Sequence, residues 1–145
     1  MKHPFAVPAR LSPDLERVRA YWRGLLRGAA EMPFWDDAKL SELPDLTERL
    51  LLIDVFQQPE RFRLASVGDR VGGEGLAGCF LDETALGRPL EFLRAQASAT
   101  TECAAPTWFR FEGEGPDAVQ SYSRLLLPMW GDGRISMILA AVDFD

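Results

Sequence analysis

Residues 119–144 read VQSYSRLLLPMWGDGRISMILAAVDF. Two apolar runs, 119–129 and 134–144, flank Trp130-Gly131-Asp132-Gly133. An Asp-Gly pair between two such runs is a strong signal for a tight β-hairpin. Side chains alternate across a strand, so Tyr122, Arg124 and Leu126 share one face while Ser121, Ser123, Leu125 and Leu127 share the other. Upstream, residues 107–112 (TWFRFE) read as a third strand, with Trp108 and Arg110 opposed to Phe109 and Phe111. Farther upstream, LLLIDVF (50–56) and RFRLASV (61–67) form a strand pair around Gln57-Gln58-Pro59-Glu60, a connection of hairpin length. Between these groups, residues 68–100 hold six glycines and no strand-like alternation. They predict short helices and turns, with 83–86 and 89–99 as the helical pieces. Two strands, a helical middle and three strands give an α+β fold: a five-stranded antiparallel sheet with short helices on one face.

Ahead of the sheet, Ser12 is a good N-cap and Pro13 suits the first helical position, where its missing N–H costs nothing. Leu15, Val18, Trp22, Leu25 and Ala29 then repeat at three-to-four spacing, and Gly28 is a plausible stop. This N-terminal amphipathic helix has a stripe too apolar for water. At ~25 cal/mol per Å² its burial contributes several kcal/mol. Either the chain's own sheet or the same helix of a second copy can cover it. The second option is preferred here. It predicts a homodimer paired through Leu15, Val18, Trp22 and Leu25. Pro33 and Pro44 break residues 31–48 into irregular structure. Residues 1–48 are therefore a helix and irregular cap, and 49–145 the core, of a single structural domain.

Composition narrows the class. A chain of 145 residues, 47% hydrophobic and 26% charged, can bury a core without disulfide or metal staples. No apolar run approaches the ~20 residues of a bilayer span, and the N-terminus lacks an apolar secretory core. A cytoplasmic protein without membrane insertion is expected. Sixteen basic against 22 acidic residues leave a net charge of −6, which argues against nucleic-acid binding through phosphates. The charge is uneven: residues 1–30 sum to +4 and residues 31–60 to −6, a pattern that solvates or pairs within a dimer. Cys79 and Cys103 stand alone and His3 is the only histidine, so no zinc site is expected.

Tempting motifs fail on context. Gly73-Glu74-Gly75-Leu76-Ala77-Gly78 spells GxGxxG, but a dinucleotide site needs it between a strand and a helix in a βαβ unit. The preceding strand ends near Val67, and Gly87 and Pro89 soon interrupt the downstream stretch. Gly78-Cys79-Phe80-Leu81 lacks the Asn, Arg and Gln that surround a flavin-adduct cysteine, so no flavin is expected. A nucleophile–histidine arrangement would have to recruit His3. Asp36-Asp37 and Asp143/Asp145 are placed where carboxylates are usually just solvated. No enzyme is expected. The aromatic and Arg residues of the strands read either as packing or as the wall of a pocket.

The order of elements resembles the PAS arrangement. Leu86-Gly87-Arg88-Pro89-Leu90, followed by Phe92-Leu93, looks like the "lGrpl..ll" segment that PAS domains carry before their longer helix. The fuller resemblance is to a short, stand-alone, alphaproteobacterial-type PAS family. Its "YWR.LR" helix is matched by Tyr21-Trp22-Arg23-Gly24-Leu25-Leu26-Arg27, and its Pro/Asp link by Met32-Pro33, Asp36-Asp37 and Leu43-Pro44. Its two early strands are matched by Leu51-Leu52-Ile53-Asp54-Val55 and by Arg61-Phe62-Arg63-Leu64 with Val67-Gly68. Its closing hairpin is matched by Leu125-Leu126-Leu127-Pro128-Met129 and residues 138–144.

The resemblance implies a non-enzymatic sensory or regulatory domain that binds a small apolar or amphipathic ligand and signals through an unidentified protein. With Asp145 directly after the last strand, signalling is expected in trans. The ligand would sit in an apolar cavity between the sheet and residues 76–99, with Phe92, Trp108, Phe109, Arg110, Phe111, Tyr122, Arg124 and Met137 as lining candidates. Haem-binding relatives use a mid-chain histidine, and 68–100 has none, so no haem is expected. The alternatives are an interaction adaptor with no ligand and an enzyme using the acidic loops.

Overall fold

A computed structural model describes residues 4–113 and 120–145. His3 and Val119 lie outside the described residues. The chain runs from helix α1 (Pro13–Gly24) into strands β1 (Leu50–Phe56) and β2 (Arg61–Val67). Helix α2 (Leu93–Cys103) and strands β3 (Thr107–Phe111), β4 (Tyr122–Gly131) and β5 (Arg134–Phe144) complete it. The strands form one sheet of order β2-β1-β5-β4-β3, antiparallel at every step. This is an α+β fold built on a five-stranded antiparallel sheet. At the β4–β5 turn, Asp132 and Gly133 both take positive φ, 54° and 76°, the geometry a tight hairpin requires.

Both faces of the sheet are covered, which is why β1 and β4 are apolar almost throughout. On one face Leu51, Ile53, Val55, Leu126, Ile138 and Ala140 pack under α2 and the middle segment. On the other, Leu50, Leu125, Leu127, Met129 and Leu139 pack under α1 with Leu43 and Leu46. Two loose ends blunt the sheet's edges, where unpaired backbone would otherwise invite aggregation. The Trp108 N–H donates to Phe5 O at 2.8 Å beside β3. Residues 78–81 pair with β2, with Leu64 N donating to Cys79 O and Leu81 N to Phe62 O, both at 2.9 Å.

Several expectations change. Helix α1 ends at Gly24, not near Gly28, since glycine is a weak helix former with no side chain to pack. Its stripe is therefore Leu15, Val18 and Trp22, all buried against the chain's own sheet. The Trp22 indole N–H also donates to Pro128 O at 2.9 Å. Of the two available covers the sheet takes the stripe, which removes Leu15, Val18 and Trp22 as a surface for a second copy. Leu25 caps the helix, half-buried and off the stripe. Arg49 fixes the seam, donating to Asp14 Oδ2 at 2.7 Å and Asp143 Oδ1 at 2.8 Å.

In the middle third, residues 83–86 form no helix, with a turn and bend at 83–84 and irregular backbone at 85–86, too short a stretch to offset helix nucleation before Gly87 and Pro89. The predicted helix over 89–99 begins only at Leu93, because Phe92 takes φ 62°, in the left-handed region. Gly73 and Gly78 adopt positive φ in turns beside an antiparallel strand, not in a βα unit. Strand β4 runs three residues later at its start than expected, from Tyr122, and ends at Gly131.

Candidate functional site

Helix α2 turns Leu93, Gln96, Ala97 and Thr100 toward the sheet, and all four are buried. Spacing of three, four and seven residues makes that stripe, but half of it is polar. Opposite lies Arg124 on β4, whose side chain has no solvent exposure. Arg124 Nε donates to Gln96 Oε1 at 2.7 Å. Its Nη1 donates to two carbonyls of the segment leading into α2, Pro89 O at 2.9 Å and Glu91 O at 3.0 Å. Gln96 Nε2 in turn donates to Thr107 Oγ1 at 3.1 Å and Arg124 O at 3.2 Å. Thr100 Oγ1 closes the network, 2.7 Å from Thr107 Oγ1 and 2.8 Å from Gln96 O.

Two buried polar atoms in this cluster face each other and have no other hydrogen-bond partner among the described residues: Arg124 Nη2 and the Tyr122 hydroxyl. They are electrostatic neighbours in a buried setting. Burial pushes the Arg124 guanidinium down to about 10, which leaves it protonated at neutral pH. Burial pushes the Tyr122 phenol up, so it stays a neutral hydroxyl. The cation sits 4.9 Å from the centre of the Phe109 ring, and Tyr122 stacks on Phe111 at 5.6 Å. Among the described residues Arg124 has no carboxylate in ion-pair range. Glu91, a nearby acid, is 2.8 Å from Arg88 Nε.

The structure divides the sequence-predicted pocket set between the two faces. Phe109, Phe111, Tyr122 and Arg124 meet on the α2 side, with Phe92 against Phe109 at 5.9 Å. Phe92 is itself 64% exposed. Trp108 and Met137 pack on the α1 side, in the other core. Arg110 lies at the strand end, bonded to Ser123 Oγ, Glu112 and Asp145. These three cannot line one cavity with the others, because the sheet stands between them. The interface expected to hold an apolar cavity is filled by buried side chains, with a charged group at its centre. Sequence reasoning missed Gln96, Thr100 and Thr107. The polar positions Gln96 and Thr100 inside an otherwise apolar helical stripe were the available signal.

Beside this cluster, residues 70–72 and 76 face residues 85–90 across a cleft of about 360 Å³. Val71, Leu76, Leu86 and Leu90 supply its apolar lining, and Arg70 and Arg88 its charge. Each arginine lies over an aromatic ring of the sheet: Arg88 over Phe111 at 4.0 Å, Arg70 over Phe144 at 4.9 Å. Phe111, Tyr122 and Phe144 are cross-strand neighbours on β3, β4 and β5, so these rings lead from the cleft toward Arg124. Among the described residues no three His, Cys, Asp or Glu side chains gather as metal ligands, and no helix is long and apolar enough to cross a membrane.

Neither a family model nor a curated protein matches the chain. Among solved structures, it is similar to the crystal structure of a sensory box sensor histidine kinase from Vibrio cholerae, at 15% identity and a TM-score of 0.45. That comparison covers 90% of this chain and 98% of the other.

Proposed function

We propose that the chain is a non-enzymatic PAS sensory or regulatory domain, which binds a small amphipathic ligand on the α2 side of the sheet and signals through contact with another protein. The observation that carries this reading is Arg124, a fully buried cation with no carboxylate in ion-pair range among the described residues, next to an apolar cleft. A domain built only for packing gains nothing from such a group, since a buried charge without an ion-pair partner costs several kcal/mol of desolvation. A buried polar cluster beside an apolar cleft is how ligand sites are commonly built. The reading includes no haem, flavin or zinc.

An adaptor without a ligand is the second reading. Its support is an exposed aromatic group, Trp35 and Trp130, joined through Phe34, whose ring lies 5.0 Å from that of Trp130. Native mass spectrometry and absorbance of protein purified from its own host separate the two. A retained small organic mass, without Soret or flavin bands, supports sensing. A clean apo mass, with no thermal stabilisation by a metabolite panel, supports the adaptor.

A further inference from the structure

We infer that the surface cleft between residues 70–76 and 85–90 is a ligand site by itself, and that it takes an amphipathic anion. The head group would lie at the mouth on Arg70 and Arg88, the apolar body between Val71, Leu76, Leu86 and Leu90. The inference rests on the sensory reading above and adds the ligand's place and chemical class. The buried Arg124 does not touch this ligand. Its Nη1 ties down Pro89 O and Glu91 O, in the segment that forms one wall of the cleft.

Three observations lead there. The first is composition. The chain carries 22 acidic residues and a net charge of −6, yet the described residues lining the cleft include two arginines and no acid. A positive cleft on a negative molecule draws anions and repels cations.

The second is the state of the two arginines. Arg70 rests on the Phe144 ring and has no carboxylate in ion-pair range among the described residues. Arg88 rests on the Phe111 ring and gives Glu91 only its Nε, at 2.8 Å, which leaves both Nη groups for another acceptor. Phe111, Tyr122 and Phe144 form a row of rings spaced 5.6 and 6.5 Å, so the two guanidinium groups stand at its ends. Stacking holds each planar group in place before a ligand arrives, which lowers the entropy lost on binding. The wall adds neutral donors. The backbone N–H groups of Leu86, Gly87 and Arg88 donate to no protein group among the described residues.

The third is the body of the cleft. Val71 and Leu90 are buried and Leu76 and Leu86 half-buried, so an apolar wall lies directly beside the charged rim. Its volume of about 360 Å³ falls within the range of small-molecule sites. A bare inorganic anion would leave the apolar wall facing water, and a neutral hydrocarbon would leave the arginines without an acceptor. An amphipathic anion satisfies both.

The test is fluorescence titration of the full chain with anilinonaphthalene sulfonate and with phenylnaphthylamine, the same ring system without the charge. The anion should bind about threefold to tenfold more tightly at low salt. The difference should shrink in about 0.5 M salt, because both arginines are exposed. Decanoate and decyl phosphate, two head groups on one chain, should displace the sulfonate, and decanol should do so at least about threefold less well. Arg70→Gln should remove most of the preference for the anion, and Arg70→Lys should restore part of it. Arg70 is exposed, so both variants should fold. Where circular dichroism shows otherwise, Arg88→Gln and the salt dependence decide. Equal affinity for the charged and neutral probes, or anion binding unmoved by Arg70→Gln, overturns the inference. So does a neutral ligand retained from the host, which would leave the sensory reading standing. Protein that is clean apo and binds none of these probes removes both.

Discussion

Replacing Gln96 with leucine should cost far more than the similar sizes of the two side chains suggest. Gln96 accepts from Arg124 Nε at 2.7 Å and donates to Thr107 Oγ1 and Arg124 O. Leucine keeps most of the volume and removes all three bonds. A charged buried donor that loses its acceptor costs about 1.5–3 kcal/mol and each neutral bond about 1 kcal/mol, so the sum is roughly 3–5 kcal/mol. Arg124→Met should cost less, about 1–3 kcal/mol, because it strands carbonyls but also takes a charge out of the interior. The double variant should then be more stable than the two single losses predict, by about 1–3 kcal/mol. Urea unfolding followed by tryptophan fluorescence measures all four proteins. A Gln96→Leu variant within about 1 kcal/mol of wild type, or strictly additive losses, would refute the coupled buried network.

Trp22→Ala should destabilise by about 3–5 kcal/mol, since the indole is buried under the sheet and bonded to Pro128 O; a loss below about 1 kcal/mol in the same urea assay would mean α1 does not pack there. Gly68→Ala should destabilise by about 1–3 kcal/mol, because a Cβ there would stand 2.3 Å from Glu48 O, and an unchanged urea midpoint would contradict that approach of the end of β2 to the turn that precedes β1. Asp45, Asp82 and Asp145 are held below the usual carboxylate range by hydrogen bonds from Arg17, Arg61 and Arg110, and Glu16 by Arg19. Depressed acids add stability above their unfolded pKa and lose it as pH falls through the folded value. The urea midpoint should therefore drop between about pH 5 and pH 3, and less steeply in about 0.5 M salt; a flat profile would deny these pairs any role.

The sheet is legible because its signals are local. Alternation over 50–56, 61–67 and 134–144 places β1, β2 and β5 to the residue, and Asp132-Gly133 marks the turn between β4 and β5. The helix start at Ser12-Pro13 is equally local. The middle third is not legible, because its glycines and prolines say where regular structure breaks but not what replaces it. Phe92 shows the difficulty: it reads as a pocket-lining position of a helix, yet stands left-handed and exposed before α2 begins. The site is half legible. Alternation correctly puts Tyr122, Arg124 and Leu126 on one face, and the same rule opposes Trp108 and Arg110 to Phe109 and Phe111. One pocket built from both pairs crosses the sheet. That the Arg124 face lies under α2, and that Gln96 reaches it, depends on tertiary packing that no local pattern carries.

The most direct measurement is site-resolved ¹H–¹⁵N NMR hydrogen exchange of the wild-type chain, following the Arg124 guanidinium and the Gln96 side-chain amide. In the free protein the Arg124 Nε–H should exchange slowly with water, because Gln96 Oε1 holds it in a buried network. Rapid exchange of the Arg124 signal, at the rate of a solvent-exposed guanidinium, would contradict the account.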